Sequence, residues 1–247
     1  MLDIHAPHEA VHTWKDFFIH IATICVGLLI AIGLEQSVEA LHHRHQRRDL
    51  EEQMRTEAEH NLALVYTNID RLRGRLAFTD AYIVALNQAP VVNGRIQLKH
   101  LPERGKAFDI GITQPSQTVW AVAKTSGTVA LLPEEEAQVY ARLDYEAEIL
   151  DNDRDFDHAG MKFASFKLAR QGQAPEQFPS LTLAERDALL ETFSNISAQH
   201  RTRIILELNE AGACRGVLHG ARSVDEMIHY MLDEIQLAKS KQMIPQL

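Results

Sequence analysis

The stretch FFIHIATICVGLLIAIGL, residues 17–34, decides the organisation of this chain, because it runs for eighteen residues without a formal charge. A helix rises ~1.5 Å per residue, so the stretch spans roughly 27 Å, close to the ~30 Å hydrocarbon core of a bilayer. Trp14, Phe17 and Phe18 stand at one edge, where aromatic rings favour the headgroup level. The sequence therefore predicts a single transmembrane helix that ends at Leu34.

Three other interpretations of this stretch remain open. Ala31 and Gly33 have the A-x-A-like spacing of a cleaved signal peptide, but Asp3 and Glu9 precede the apolar run, where a signal peptide carries basic residues. A buried core helix is disfavoured because soluble helices rarely stay apolar all round for this length. A re-entrant or surface helix is the third. The membrane anchor accounts best for the pattern.

Two small residues in the anchor are spaced for close approach of another helix. Gly27 and Ala31 form one small-xxx-small pair, a pattern that permits transmembrane pairing and also occurs by chance. Cys25 in the anchor and Cys214 near the other end of the sequence are expected to be free thiols.

The orientation of the anchor is not decided by charge. Lys15 lies on one side, and Arg44, Arg47 and Arg48 lie on the other. Because positive charge favours the cytoplasm, this bias weakly places the bulk of the chain inside the cell.

The pattern after the anchor predicts an all-α protein. Residues 1–16 are a short N-terminal tail, residues 35–61 are a polar and charged helical stalk, and residues 62–247 are a bundle of four or five helices with a loop at 91–115. The first bundle helix carries a heptad seam with one polar member, Thr79, and it packs against another helix of this chain or of a second copy. The apolar seam residues are Leu62, Val65, Ile69, Leu72, Leu76, Ile83 and Leu86.

Turn and capping signals place the remaining elements. Asn93-Gly94 signals a turn, with a short strand pair expected at 95–98 and 108–110. Ser116 caps a helix that ends near Gly127, and Pro133 begins another that runs toward Leu168. After a loop at 172–179, the pairs Thr182/Glu185 and Ser223/Glu226 open the last two helices.

Composition narrows the function classes. The 45% of hydrophobic residues excludes an ordinary disordered chain, and two cysteines exclude a disulfide framework. Acidic residues outnumber basic ones 34 to 25, giving a net charge of −9 that disfavours nucleic acid as a partner. The sequence holds no P-loop, dinucleotide fingerprint, nucleophile elbow or CxxC pair. We therefore expect neither a catalytic site nor a cofactor.

Histidines are concentrated near the start of the sequence and allow two interpretations. Glu39 and His43 share a helix face, as do His42 and His45, so a surface metal site is conceivable. The favoured interpretation is histidines beside lipid headgroups, because a structural site needs three or four convergent ligands. His20, inside the apolar run, either faces a partner helix or haem, or snorkels to the interface.

The acidic run at 151–157 resembles a calcium loop only superficially. The EF-hand pattern needs Gly where Phe156 stands and Glu where Lys162 stands. A solvated acidic helix face is the interpretation that remains.

Two stretches resemble a family of uncharacterised bacterial single-pass membrane proteins. The first, VGLLIAIGLEQSVEALHHRHQRR, is similar to that family's IGILIAL-like anchor and the polar helix that follows it. The second, QTVWAVAKTSGTVALLPEEEAQVYARLDYE, has the same order of an aromatic residue, a small-Gly turn, an apolar pair and an acidic helix ending in Tyr. The resemblance implies an anchored helical domain outside the cytoplasm, although this chain lacks the family's basic cluster at the N-terminus.

These features together predict an interaction protein of the bacterial inner membrane. Its expected partners are the lipid bilayer and other membrane proteins, or its own copy, as an accessory or scaffold subunit or a homo-oligomer. The alternative is a membrane-anchored sensor or ligand-binding module without its own output domain. A metal-dependent enzyme or haem-binding subunit built on the N-terminal histidines is the third hypothesis.

Overall fold

A computed structural model describes residues 14–98, 102, 111–152, 180–241 and 243, and it confirms the all-α prediction. Within these residues there are five α-helices, one 3₁₀ turn and one small sheet. The helices are α1 (Trp14–Gln88), α2 (Thr118–Ser126), α3 (Glu134–Asn152), α4 (Leu183–His219) and α5 (Val224–Ser240), and the 3₁₀ turn is Thr128–Leu131. The strands are β1 (Val91–Val92), β2 (Arg95–Gln97) and β3 (Ser180–Leu181).

The chain divides into two compact units, Met1–Asp49 and Leu50–Leu247, and the second is called the helical domain below. Helix α1 is 75 residues long and contributes to both. The sequence pattern predicts that the bundle starts at residue 62. The structure starts the compact unit at Leu50, because Leu50, Met54 and Ala58 of α1 are already buried in its core.

In the first unit, the described residues form one exposed helix. Its hydroxyl side chains bond backward to the helix itself: Thr23 donates to the carbonyl of Ile19 at 2.9 Å, and Ser37 donates to that of Gly33 at 2.7 Å. These bonds satisfy the hydroxyl groups within the helix, so the hydroxyls need no water molecule as a partner. This is what a helix in an apolar environment requires.

The helical domain has three apolar clusters, each built around α1 and α4. The seam residues Val65, Ile69, Leu72 and Leu76 are buried in one of them, together with Ile204, Leu208 and Ala211 of α4. Leu86 is buried in another, Ile83 packs against that cluster, and Leu62 packs against two clusters. The structure thus places the seam inside its own chain.

Helices α4 and α5 form a closely packed hairpin. The capping box that begins α4 is confirmed: Thr182 Oγ1 accepts from the amide of Glu185, and the Glu185 carboxylate accepts from the amide of Thr182. Gly220 ends α4 with φ of 75°, in the left-handed region. Ser223 caps α5, whereas the Glu226 carboxylate accepts from the amide of Arg222 and not from that of Ser223.

The predicted loop at 91–115 contains a hairpin. Asn93 and Gly94 have φ of 54° and 74°, which gives the type I′ turn that joins β1 to β2. The β2 strand also pairs with β3, so that Ile96 lies opposite Leu181. The strand partner expected at 108–110 lies outside the described residues, as do residues 1–13, most of the acidic run and the end of the helix predicted to reach Leu168.

Candidate functional site

The anchor residues lie on an unpartnered apolar surface within the described part of the chain. Helix α1 contains a window long and apolar enough to cross a membrane, and none of that window is buried. Trp14, Phe17 and Phe18 form an aromatic cluster with ring centroids 5.8–6.1 Å apart. A Cβ at Gly27 would meet nothing within 4 Å. Ala31 and Leu34 are exposed as well.

The metal candidates are not brought together. Glu39 and His43 approach to 3.9 Å, and His42 and His45 are exposed on the same helix. Among the described residues no group of three or more His, Cys, Asp or Glu side chains is arranged to hold a metal ion. The imidazole of His20 bonds to the carbonyl of Asp16 at 2.8 Å.

The most organised polar site is a buried layer inside the helical domain, and the sequence pattern does not predict it. Its members are polar or charged side chains that are buried between helices α1, α3 and α4. We call the following residues the buried polar layer: Asn61, Asn68, Glu146, Arg203, Glu207 and Glu210.

Two asparagines of α1 hold the extended segment 111–117 against the helix. The amide of Asn61 donates to the carbonyl of Ser116 at 2.9 Å and accepts from its N–H at 2.8 Å. Asn68 makes the same pair of bonds with Thr113, at 2.7 and 3.2 Å. The two side chains are seven residues apart, so they project from one face of α1. Each satisfies one backbone donor and one backbone acceptor of the segment, as a neighbouring strand would.

A carboxylate from α1 caps helix α2. Glu57 Oε1 accepts from the amides of Thr118 and Val119, at 3.0 and 3.3 Å, and from the hydroxyl of Ser116. A negative charge there complements the helix dipole. The N-cap residue is Gln117, one position after the predicted Ser116, and its side chain makes no capping bond. Ser116 Oγ still accepts from the amide of Thr118, at 3.3 Å, beside the Glu57 carboxylate. The predicted end at Gly127 is confirmed, with φ of 78°.

Arg203 is the centre of the buried polar layer. Its guanidinium donates to Glu207 Oε1 at 3.0 Å, to Gln114 Oε1 at 3.1 Å and to the carbonyl of Leu150. Glu207 also accepts from the amide of Asn68 at 3.3 Å. The Arg203 guanidinium thus connects α4 to the end of α3 and to the segment 111–117. It can do so because a guanidinium group is planar and carries five hydrogen-bond donors.

Glu210 lies one turn along α4 from Glu207 and is buried completely. The Cys214 thiol approaches Glu210 Oε1 at 3.5 Å, and Oε2 has no hydrogen-bond partner among the described residues. Burial raises the pKa of Glu210 well above its usual range, the hydrogen bond from Cys214 opposes this, and the charges of Glu146, Glu207 and Glu57 add to it. Burial also raises the pKa of Cys214, so this thiol is held in its unreactive form.

The raised pKa of Glu210 predicts that folding stability falls as the pH rises. The folded state keeps the proton above pH 4.5, where an ordinary carboxyl loses it, so the favourable contribution is complete below that pH and is lost as the pH climbs toward the folded pKa. The slope is at most about 1.4 kcal/mol per pH unit. We expect Glu210→Gln, which is neutral at every pH, to be as stable as the parent near pH 4.5 and increasingly more stable above it.

Unfolding of the detergent-solubilised chain by urea at several pH values measures this difference. Glu191→Gln, which alters an exposed carboxylate of the same helix, is the matched control and should reproduce the parent's pH dependence. A constant difference between Glu210→Gln and the parent at all pH values would contradict the assignment.

A second polar group joins α1, α4 and α5. The Tyr66 hydroxyl donates to Glu234 and accepts from Arg215 at 2.8 Å, and Arg215 Nε lies 2.7 Å from Glu234 Oε2. Burial and the neighbouring Glu234 raise the pKa of Tyr66. This triad and the buried polar layer connect helices through hydrogen bonds and ion pairs.

The signal that could have identified the layer is weak but present. Asn61 and Asn68 are one heptad apart and flank the apolar seam. An amide side chain repeated at this position is unusual for a helix face that is exposed to solvent. Glu207 and Glu210 carry no such signal, because charged residues in a long helix are normally exposed. Comparison with protein-family models, curated proteins and solved structures finds no significant match to this chain.

Proposed function

We propose that this chain is a membrane-anchored helical interaction protein: an accessory or scaffold subunit of an inner-membrane complex, or a homo-oligomer. One observation carries the proposal, namely the full exposure of the apolar window at residues 17–34 among the described residues. Leaving one large aliphatic side chain in water forgoes about 1.5–3 kcal/mol, and this window has nine, from Ile19 to Leu34. Continuous apolar surfaces of this kind mark membrane or protein contacts.

The helical domain supports the interaction part of the proposal. Its described polar groups are used to fix helices against one another, in the buried polar layer and in the Tyr66–Arg215–Glu234 triad. A rigid domain tethered to a bilayer is suited to presenting surface to a partner. The charge bias across the anchor favours the cytoplasm for this domain, whereas the family resemblance favours the periplasm. Reporter fusions at residue 247 measure on which side of the membrane the domain lies.

Membrane fractionation tests the anchor. We expect the full chain to stay in the pellet after alkaline carbonate washing and to need detergent for release. Leu29→Arg with Ile30→Arg should move it to the supernatant, because each charge near the centre of a span opposes insertion by about 2.5–3.5 kcal/mol. The matched control is Val84→Arg with Val122→Arg, which adds the same charges at exposed valines of the helical domain.

Native electrophoresis and cross-linking test the interaction. We expect a complex larger than the 27.9 kDa chain after mild solubilisation. A parent chain that appears in the supernatant without detergent contradicts the anchor, and a solubilised chain that is only monomeric contradicts the interaction role.

The alternative, a sensor module, is favoured by one specific observation. A fully buried carboxyl group at Glu210 can bind or release a proton within the core, so the ligand of such a sensor would be a proton. The urea experiment on Glu210→Gln can refute this alternative, since a proton sensor at Glu210 requires the pH-dependent difference in stability.

A further inference from the structure

The polar segment that follows the anchor carries two large apolar side chains. In residues 35–49 these are Val38 and Leu41, and both are exposed, at 66% and 56%. They are three residues apart, so they lie on one face of α1. Exposed apolar residues that are scattered singly are ordinary, whereas neighbours on the same face of a polar helix indicate a contact surface.

The same face continues backward into the anchor with the spacing of a coiled coil. Steps of three and four residues alternate along it, so that the average period is 3.5 residues. Two helices with this period stay in contact along their length. All members of the face are exposed among the described residues. We call the following residues the α1 heptad face: Gly27, Ala31, Leu34, Val38 and Leu41.

The part of the heptad face inside the anchor permits close approach of another helix. Gly27 and Ala31 are small, and a Cβ at Gly27 would meet nothing within 4 Å. The anchor itself is apolar on every side and selects no face. The choice of face comes from Val38 and Leu41, which lie beyond the charge-free window.

Charges beside the heptad face favour a second copy of this chain as its occupant. In two parallel coiled helices, the residue before a heptad's first core position pairs with the residue after the next core position of the other helix. In the frame set by Val38 and Leu41, Arg44 and Asp49 are such a pair. Each arginine therefore meets an aspartate of the other copy. Arg48 occupies the next core position, so the apolar contact ends at Leu41.

Membrane insertion provides the orientation that this pairing needs. Copies of one single-pass chain cross the bilayer in the same direction, so two of them meet in parallel. In a pair with two-fold symmetry each residue of the face lies opposite its counterpart. Small residues then meet small ones near Gly27, and leucine meets leucine at Leu34 and Leu41. The face and its flanking charges are thus complementary to themselves.

We propose that the α1 heptad face binds the same face of a second copy and forms a parallel homodimer. The contact runs from Gly27 in the anchor to Leu41 beyond it, and the pairs of Arg44 with Asp49 hold its register. This inference rests on the proposed function, because it needs the membrane anchor, and it names the partner.

Disulfide cross-linking in native membranes locates the contact. Val38→Cys and Leu41→Cys each place a cysteine on the heptad face, and Gln36→Cys and Ala40→Cys place one on the opposite face, given about 100° of rotation per residue. The axes of packed helices are about 8–10 Å apart, so the two control cysteines on the outer sides are beyond the reach of a disulfide. We expect mild oxidation to yield dimer at least about tenfold faster for the first two chains.

The background for these variants is the full chain with Cys25→Ser. Cys214 is buried and is left in place. The same membranes are washed with alkaline carbonate, so that each sample also reports whether the chain is anchored.

Charge reversal tests whether the occupant is a second copy. Arg44→Asp alone and Asp49→Arg alone each bring like charges together across the pair, so either should slow cross-linking of the Leu41→Cys chain about threefold. Co-expression of the two single variants should restore it, since each new charge then meets its opposite on the other chain. The matched control is Glu39→Arg, which reverses an exposed acid outside the flanking positions and should change little.

The outcomes separate this inference from the proposed function. Equal cross-linking at all four cysteine positions, or at none, overturns the homodimer, while a chain that stays in the washed pellet keeps the anchor. Reversed charges that have no effect, or that co-expression does not rescue, overturn the pairing of Arg44 with Asp49. A chain released into the supernatant refutes the anchor, and the inference with it.

Discussion

Gly212→Ala is expected to lower the free energy of unfolding of the helical domain by about 3 kcal/mol, although alanine is the better helix former by ~1 kcal/mol. A Cβ at this position would lie 2.3 Å from the Cα of Met231 and 2.8 Å from its amide nitrogen. Both atoms are backbone, so no side-chain rotation relieves the clash. Helices α4 and α5 would have to separate by about 1 Å to restore ordinary contact distances.

Gly216, one turn along α4, is the matched control. Its added Cβ would meet the Met227 side chain at 3.2 Å, and that flexible chain can shift. We expect Gly216→Ala to change stability by less than about 1 kcal/mol. Thermal unfolding in detergent, followed by circular dichroism, should show a melting temperature roughly 6–12 °C lower for Gly212→Ala. Equal effects of the two substitutions would contradict the backbone contact between α4 and α5.

Elements whose signals are local could be predicted from the sequence. Thr182 and Glu185 form their capping box within one turn of chain, and Asn93-Gly94 adopts the left-handed φ angles that its turn needs. The apolar residues that recur along the long helix after Thr182 are all buried: Leu189, Phe193, Ile196, Ile204 and Leu208. In each case the residue type and its nearest neighbours determine the conformation.

The attachment of segment 111–117 to α1 could not be predicted, because the residues that it bonds to are distant in sequence. The backbone of Thr113 bonds to Asn68, and that of Ser116 bonds to Asn61. No periodic pattern within the segment predicts these hydrogen bonds. The capping of α2 by Glu57 could not be predicted for the same reason, since this carboxylate is about sixty residues away in sequence.

The buried charges were missed for a different physical reason. Glu and Arg side chains in helices are usually exposed to solvent. Glu207 and Glu210 are exceptions because the surrounding helices cover them. Their burial is tolerated because Arg203 and Asn68 bond to Glu207 and because Glu210 keeps its proton. Candidate sites made of such residues become visible only when the tertiary contacts are known.

Arg203→Met is expected to destabilise the helical domain by about 3–5 kcal/mol, because it leaves the charge of Glu207 buried without its cation. The same substitution removes the donors to Gln114 and to the carbonyl of Leu150. Arg201, two residues earlier on α4, provides the matched control. Its ion pair with Asp80 at 3.0 Å is partly exposed, with 27% and 38% of the two side chains accessible, so Arg201→Met should cost no more than about 1 kcal/mol.

A double variant separates the buried charge from the lost packing. Arg203→Met combined with Glu207→Gln removes both charges and keeps an oxygen to accept from Asn68, so it should recover part of the stability that Arg203→Met loses. Urea unfolding of all four chains at one pH gives the comparison. If Arg203→Met and Arg201→Met lose the same small amount, Glu207 is reached by water, and the buried polar layer does not exist as described. If the double variant is less stable than Arg203→Met alone, the loss comes from packing and not from an unpaired charge.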